Sequence, residues 1–295
     1  MNTELEIIEL INHDGEIELF LDQLAAKSPS ILSYHYPFYR DMLVAIGIGK
    51  PCYLGARSMG RLVGMLPAFY KESDIGTVYS SMPFFGPNAG VICPQDDKEV
   101  PIHQALIRAL LQRAEQAGAL TCSIYTPFLF DRYYLYDAAL TGAVQVPKFT
   151  QFCRLGAVDL EHGNIGKNIR RAIKEGVEVK TGAEPGLLRE FYGIYKQNCL
   201  DYKIPLKPFA CLEHLFTTPH GKDHASIYYA YRQGKMISGL IVLNSLMTAS
   251  YYIPCSLAGA RQYQPGTLLI QQAMQDLMKK GIQYWNWEGS PSRED

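Results

Sequence analysis

The sequence predicts an α+β protein of two tandem units, residues 1–145 and 146–295. Three observations lead there. One order of elements (hairpin, strand, helix, strand) is written twice. Each of the two helices stops at a glycine, Gly118 and Gly281, and gives way to a short apolar or aromatic strand. The chain, at 295 residues with 47% hydrophobic and 19% charged side chains, has the length and globular composition to bury two cores.

The first copy opens with "PCYLGARSMGRLVGMLPAFY" (51–70): a strand, a tight turn around Ser58–Gly60, and a second strand ending near Tyr70. "DIGTVYSSMPF" is a third strand. "VPIHQALIRALLQRAEQAG" (100–118) carries apolar residues at helical spacing. "ALTCSIYTP" closes the unit as a buried strand. The second copy runs "ASIYYAYRQGKMISGLIVLN" (225–244), with its turn at Gln233–Gly234, then "TASYYIPCS", the helix "GTLLIQQAMQDLMKKG" and the strand "IQYWNWEG". Matching positions lie about 160–175 residues apart, which reads as internal duplication of one β-β-β-α-β unit.

Between the copies, "VPKFTQFCRLGAVDL" (146–160) reads as a crossing strand. "GNIGKNIRRAIKEGVEVKTG" (163–182) follows as a helix that Asn164 can cap and Gly176 can stop. "GLLREFYGIYKQNCLDYK" (186–203) is a second helix, and "PFYRDMLVAIG" (37–47) plays the matching part before the first hairpin.

Formal net charge is −1, so any polyanion site must be a local patch. The seven cysteines are scattered with no C-x-x-C, which supports neither a zinc site nor a disulfide framework, and no metal is expected. The acidic N-terminus lacks a signal-peptide pattern, and no apolar run reaches the ~18 residues that span a bilayer. A cytoplasmic location is the expectation.

In this order, "SYHYPFYRDML", "YLGARSMGRLVGMLPAFY", "SSMPFFGPNAGV", "GKNIRRAIKEGVEVK", "YYAYRQGKMISGLIVL" and "YYIPCS…YQPGTLLIQQAMQDLMKKGIQYWNWEGS" resemble the GNAT N-acetyltransferase fold used twice. More closely, the chain resembles the FemAB-type family, tandem GNAT-like aminoacyl transferases that build peptidoglycan cross-bridges. The resemblance covers nearly the whole chain. It implies a mixed, V-splayed sheet in each domain, and an acceptor site in or near the cleft between domains. It implies transfer of an activated acyl or aminoacyl group from acyl-coenzyme A or aminoacyl-tRNA, with no permanently bound cofactor. The acceptor would be a small amine or peptide, nucleotide-linked in the cell-wall setting. Two departures stand out. The helical arm of several peptidoglycan transferases has no counterpart, and the chain ends at "SPSRED" without the family's terminal aromatic-Lys pair. Both weaken tRNA-dependent chemistry and leave open a plainer amine N-acyltransferase.

The candidate site residues follow. GNAT enzymes that use coenzyme A carry an Arg/Gln-x-x-Gly-x-Gly/Ala turn before the helix. Gln262, Gly266 and Thr267 stand at that turn as the donor-binding candidates, while Pro265 sits where the first glycine belongs and removes an N–H. A donor lost to an anion costs about 1.5–3 kcal/mol, so the cradle is degraded. The first copy's "GPNAGVICPQDDKEVP" is acidic and would repel a pyrophosphate, so the first domain is assigned the acceptor, with "SMPFFGPNAG" lining the cleft. Amide formation needs a neutral amine, alignment, and help with protons. Glu288, beside "WNW", is the candidate base. Tyr251 and Tyr252 occupy the third strand, where alternation sends one to the groove and the other to the core, the first as acceptor binder or the second as proton donor. Arg170, on a basic face with Lys167, Arg171 and Lys174, is the candidate for a phosphate-bearing substrate, nucleotide or tRNA. His35 is the candidate acceptor contact from the first domain. Two functional readings remain: an acyltransferase, or a duplicated scaffold that binds a peptide or sugar-peptide without transfer.

Overall fold

The computed structural model describes residues 5–82 and 88–290. The chain forms two compact units, the first running to Phe149 and the second covering Thr150–Ser290. All seven cysteines are free, and no helix among the described residues is long and apolar enough to cross a membrane.

The first unit begins with β1 (Glu6–Glu9), α1 (Asp14–Ala25) and α2 (Pro37–Ala45), whose proline occupies the first helical turn, where no N–H is needed. Then come β2 (Lys50–Pro51), β3 (Leu54–Ser58), β4 (Arg61–Leu66), β5 (Phe69–Ser73) and β6 (Gly76–Ser80). After α3 (Glu99–Gln116) the unit ends with β7 (Thr121–Ser123) and the single turn α4 (Tyr134–Asp137). The expected second strand reaching Tyr70 is two strands. Pro67, with no N–H and a restricting effect on Leu66, breaks it. β4 stays with β1 and β3 in one sheet, and β5 joins β2, β6 and β7 in another. Ile102, Leu106, Ile107, Leu110 and Ala114 of α3, at helical spacing, bury one stripe against Leu54 and Leu66.

His35 belongs to this core. It is fully buried; its Nδ1 accepts from Leu32 N–H at 3.1 Å and its Nε2–H donates to Asn88 O at 3.1 Å. Both nitrogens hold up backbone, so the ring is structural and the expected acceptor contact is not what it does. Most of the "SMPFFGPNAG" loop, 83–87, lies outside the described residues.

The second unit runs β8 (Phe149–Arg154), α5 (Gly163–Lys174), β9 (Val177–Thr181), α6 (Pro185–Tyr202), α7 (Phe209–Thr217) and α8 (Pro219–His224). It continues with β10 (Ala225–Arg232), β11 (Lys235–Asn244), β12 (Thr248–Ser256), α9 (Pro265–Lys279) and β13 (Tyr284–Ser290). Asn164 falls inside α5 rather than capping it, because His162 is the cap position and Asp159 takes the N–H groups of Glu161 and His162. One mixed sheet has the order β8-β13-β12-β11-β10-β9; β9, β10, β11 and β12 pair antiparallel in turn, and α9 connects the parallel β12–β13 pair. β11 is buried along nearly its whole length, as a central strand requires. α9 lays Leu268, Leu269, Ala273, Met274 and Leu277 on one face of the sheet, over Leu240, Val242 and the fully buried Trp285. α6 covers the other face through Phe191.

The approach of α6 is close because residue 239 has no side chain. A Cβ there would stand 2.4 Å from the Phe191 ring. Gly239→Ala is expected to cost about 1–3 kcal/mol by overpacking, read as a lowered urea midpoint at unchanged m-value.

His35 and His103 are both held neutral by burial, with pKa values lowered from 6.5 to about 4. Between those values the unfolded chain binds protons that the folded chain refuses. Stability is therefore full above about pH 6.5 and is lost as pH falls toward 4, at up to about 1.4 kcal/mol per pH unit for each ring. His35→Gln should roughly halve that slope, as measured by urea unfolding between about pH 7 and pH 5.

Candidate active site

The chemistry-bearing side chains of the second unit gather where two strands part. β12 and β13 pair at Thr248–Tyr284, Ala249–Trp285 and Ser250–Asn286. Among the described residues the pairing ends there, while β12 runs on beside β11 to Ser256 and β13 runs on to Ser290. Four local features force the fork. The β11–β12 register shifts between Ile241 and Val242, which leaves Tyr252 as a bulge residue and bends the strand. Pro254 has no N–H to offer a neighbour, so it suits an edge and not a central position. Asn198 of α6 takes the place of a strand partner at Ser256, accepting from its N–H and donating to its carbonyl, both at 2.8 Å. On the other arm, Glu288 has a left-handed backbone, φ 70°, which turns β13 away. Such a conformation costs a non-glycine residue of order 1 kcal/mol or more and concentrates at functional sites.

Asn286 fixes Glu288. Its side chain is fully buried; Oδ1 accepts from Glu288 N–H at 2.9 Å, and Nδ2 donates to Glu288 Oε1 at 3.1 Å and to Ser250 Oγ at 3.3 Å. The carboxylate is thus aimed by a side chain that the strand pairing itself holds. Tyr252, 8% exposed, lies on the same fork. Lys207 Nζ stands 5.1 Å from the centre of the Tyr252 ring. Burial lowers the Lys207 pKa, against the opposing pull of the Glu288 carboxylate.

The two tyrosines separate as alternation requires. Tyr251 faces α9, its ring 5.3 Å from Trp287 and 6.1 Å from Trp285, and burial pushes its hydroxyl up to about 12. Tyr252 faces the side of Glu288. Arg170 is elsewhere: α5 packs through Ile169 and Ala172 into the α9 side of the sheet, and Arg170 Nη1 donates to the Glu161 carbonyl at 2.9 Å, closing the loop before its helix. Lys167, Arg171 and Lys174 are exposed beside it.

The expected donor turn stands at the start of α9, after a short 3-10 turn over Ala258–Tyr263. Its side chains serve the turn. Gln262 Nε2 donates to Gly259 O at 3.1 Å, and Thr267 Oγ1 donates to Gln264 Oε1 at 3.4 Å. A Cβ at Gly266 would meet nothing within 4 Å, so nothing crowds the backbone there. Helix geometry leaves the N–H groups of Gly266 and Thr267 without intrahelical acceptors, and Pro265 adds none.

Sequence reasoning missed Asn286, Asn198 and Lys207. Pro254 in "YYIPCS" was the available sign of an edge, since proline demotes a strand. Lys207 is separated from Glu288 by most of the unit, and no spacing joins them.

The first unit repeats the parallel register at Val78–Thr121, Tyr79–Cys122 and Ser80–Ser123. There the strands are laced past the last pair: Ser81 N–H donates to Ser123 O at 2.9 Å and Tyr125 N–H to Ser81 Oγ at 2.8 Å. Cys93, Glu99 and His103 bring ligand atoms within 4.8 Å of one another in this unit. Arg132 already neutralises Glu99, at 2.9 Å, and opposes a cation.

Residues 162–290 match the acetyltransferase (GNAT) domain family. No protein of curated function matches the sequence. The fold is similar to that of FemX, at 12% identity and a TM-score of 0.71 over 99% of this chain and 90% of that one. It is also similar to a tandem GNAT protein from the clavulanic acid biosynthesis pathway (14%, TM-score 0.55, 98% and 91%) and to L-PGS from Bacillus licheniformis (13%, TM-score 0.56, 86% and 76%). Residues 162–290 therefore carry the likeness to the acetyltransferase (GNAT) domain, and the chain as a whole has a tandem GNAT-like fold similar to those of FemX and the clavulanic acid pathway protein.

Proposed function

We propose that the fork of the second unit transfers an activated acyl or aminoacyl group to the amine of a small-molecule or peptide acceptor, in the cytoplasmic modification of cell-wall peptides. One observation carries this reading: Glu288 is held in a strained backbone conformation by the buried Asn286, at the point where two parallel strands open. A positioned carboxylate accepts the proton an amine loses as it attacks a carbonyl. The bulge at Tyr252 turns backbone and ring toward the same opening. The cell-wall setting rests on the likeness to FemX and the FemAB-type resemblance.

The donor is an acyl thioester or an aminoacyl ester. The turn at Gln262, Gly266 and Thr267 offers two N–H groups and a helix dipole to a phosphate, but Pro265 removes a third. The same weakness favours the second reading, a scaffold that binds a peptide or sugar-peptide without transfer. Thermal shift separates them. A ligand at 100 times its Kd adds about 2.7 kcal/mol of stability. We expect a shift with acetyl-coenzyme A or with an aminoacyl-tRNA analogue, and with a nucleotide-linked muropeptide. No shift with either donor, alongside a shift with the muropeptide, would establish the binding scaffold instead. With the active donor, Glu288→Gln should lower kcat about 10²–10⁴-fold while leaving the donor's thermal shift unchanged.

A further inference from the structure

We propose that Lys207 is the general acid of this transfer: its ammonium protonates the leaving group as the acyl carbon releases it, while Glu288 takes the proton of the attacking amine. The inference rests on the acyl-transfer reading and adds a residue to it.

Lys207 lies in the loop between α6 and α7, and that loop is built to hold it. α6 ends at Lys203 in a left-handed conformation, φ 54°, and Ile204 N–H returns to the Cys199 carbonyl at 3.0 Å. Lys207 N–H donates to the Tyr195 hydroxyl and its carbonyl accepts from the Tyr192 hydroxyl, both at 3.2 Å. Two tyrosines of one helix therefore fix the backbone of one residue. Its side chain extends over the Tyr252 ring, on the face of the sheet that carries Glu288. A lysine whose only task were solubility would point to water, because its ammonium is strongly hydrated.

The groups that bear on the ammonium come from several elements. Burial disfavours the charged form and the Glu288 carboxylate on β13 favours it, while the Cys211 thiol on α7, pushed up to about 11 by burial, and the Cys199 thiol on α6 lie near. Tyr252 of β12 lies beneath it, and Tyr192 and Tyr195 of α6 hold its backbone. The result is an ammonium kept charged by the Glu288 carboxylate yet readier than an exposed one to give up a proton.

The reaction then balances. The amine nitrogen bonds to the acyl carbon and its proton passes to the Glu288 carboxylate. The bond from carbon to the leaving atom breaks, and the electron pair stays on that sulfur or oxygen. The leaving atom takes a proton from Lys207. Glu288 finally returns its proton to the Lys207 amine, and both groups recover their charges. A ribose oxygen needs this proton more than a thiol sulfur does, because an alkoxide is far more basic than a thiolate.

Two measurements test the proposal. Pulse acetylation with acetic anhydride across pH, read by mass spectrometry, follows each amine. Lys207 should label with a midpoint below that of exposed lysines, and Glu288→Gln should lower the midpoint further, because a carboxylate that favours the ammonium is gone. A midpoint equal to that of exposed lysines, or one unmoved by Glu288→Gln, overturns the proposal. The second measurement is transfer to hydroxylamine from 3′-aminoacyl adenosine and from acetyl-coenzyme A. Lys207→Met, which keeps the stem, should lower kcat about 100-fold with the oxygen ester and less with the thioester, and should remove the alkaline limb of the pH profile. Lys207→Arg, which keeps the charge but not the readily lost proton, should not rescue it. A Lys207→Met kcat within about twofold of the parent on the oxygen ester also overturns the proposal. Turnover of neither donor by the unaltered protein overturns the acyl-transfer reading itself, and the proposal with it. The labelling midpoints identify that case, because they do not depend on a donor.

Discussion

β12 and β13 grip each other through three residue pairs and then separate. Every feature of the candidate site in the second unit hangs on that separation. A sheet with fully paired strands has no room between them for a substrate, and an unpaired edge carries polar backbone groups that must be satisfied some other way. Here the solutions are specific. Proline at 254 has no N–H to satisfy. Asn198 supplies one side-chain amide where a peptide would otherwise sit. The bulge and the left-handed Glu288 bend the arms apart. The core beneath is correspondingly firm: Trp285 is fully buried on the α9 side, so the strand that carries Asn286 and Glu288 cannot shift without disturbing the largest side chain in the cluster.

The two units show what the same element order becomes when its fork is open or laced. Each pairs the strand before its long helix, α3 or α9, to the strand that closes the unit, in parallel, through three residues. In the first unit a serine hydroxyl and two backbone N–H groups carry the contact past the last pair. In the second, the equivalent end holds an asparagine that turns a glutamate outward. The second unit is thus the one that brings a positioned carboxylate, a buried amide and a lysine together. The first unit's buried histidines, each donating to a backbone carbonyl, work as structural pins.

The sequence carried the element order well where a signal was local. The hairpin turn at Gln233–Gly234, the strand from Thr248 to Ser256 and the helix stop before Gly281 depend on turn chemistry and periodicity within a few residues. The split between β4 and β5 was missed although Pro67 was visible, because an apolar run through a proline still looks like one strand. Asn164 looked like a cap by type, yet Asp159 reached the loop amides first. At the candidate site, the placing of Glu288 beside two tryptophans and of Tyr252 opposite Tyr251 was legible because aromatic neighbours and strand alternation are local properties. Arg170 and His35 were chosen on chemistry alone, and each is occupied by a backbone partner that only the fold brings near. Lys207 and Asn198 reach the fork from α6 and its following loop, and no periodicity encodes a contact of that kind.

Amide hydrogen exchange of the second unit tests the central claim most directly, recorded with and without whichever donor raises the melting temperature. If the fork holds the donor, protection rises at the amides of Tyr251–Ser256 on β12 and around Glu288 on β13, and the outer face of α5 around Arg170 stays as it was. Protection confined to α5, or spread over the first unit with β12 and β13 unchanged, would contradict the account.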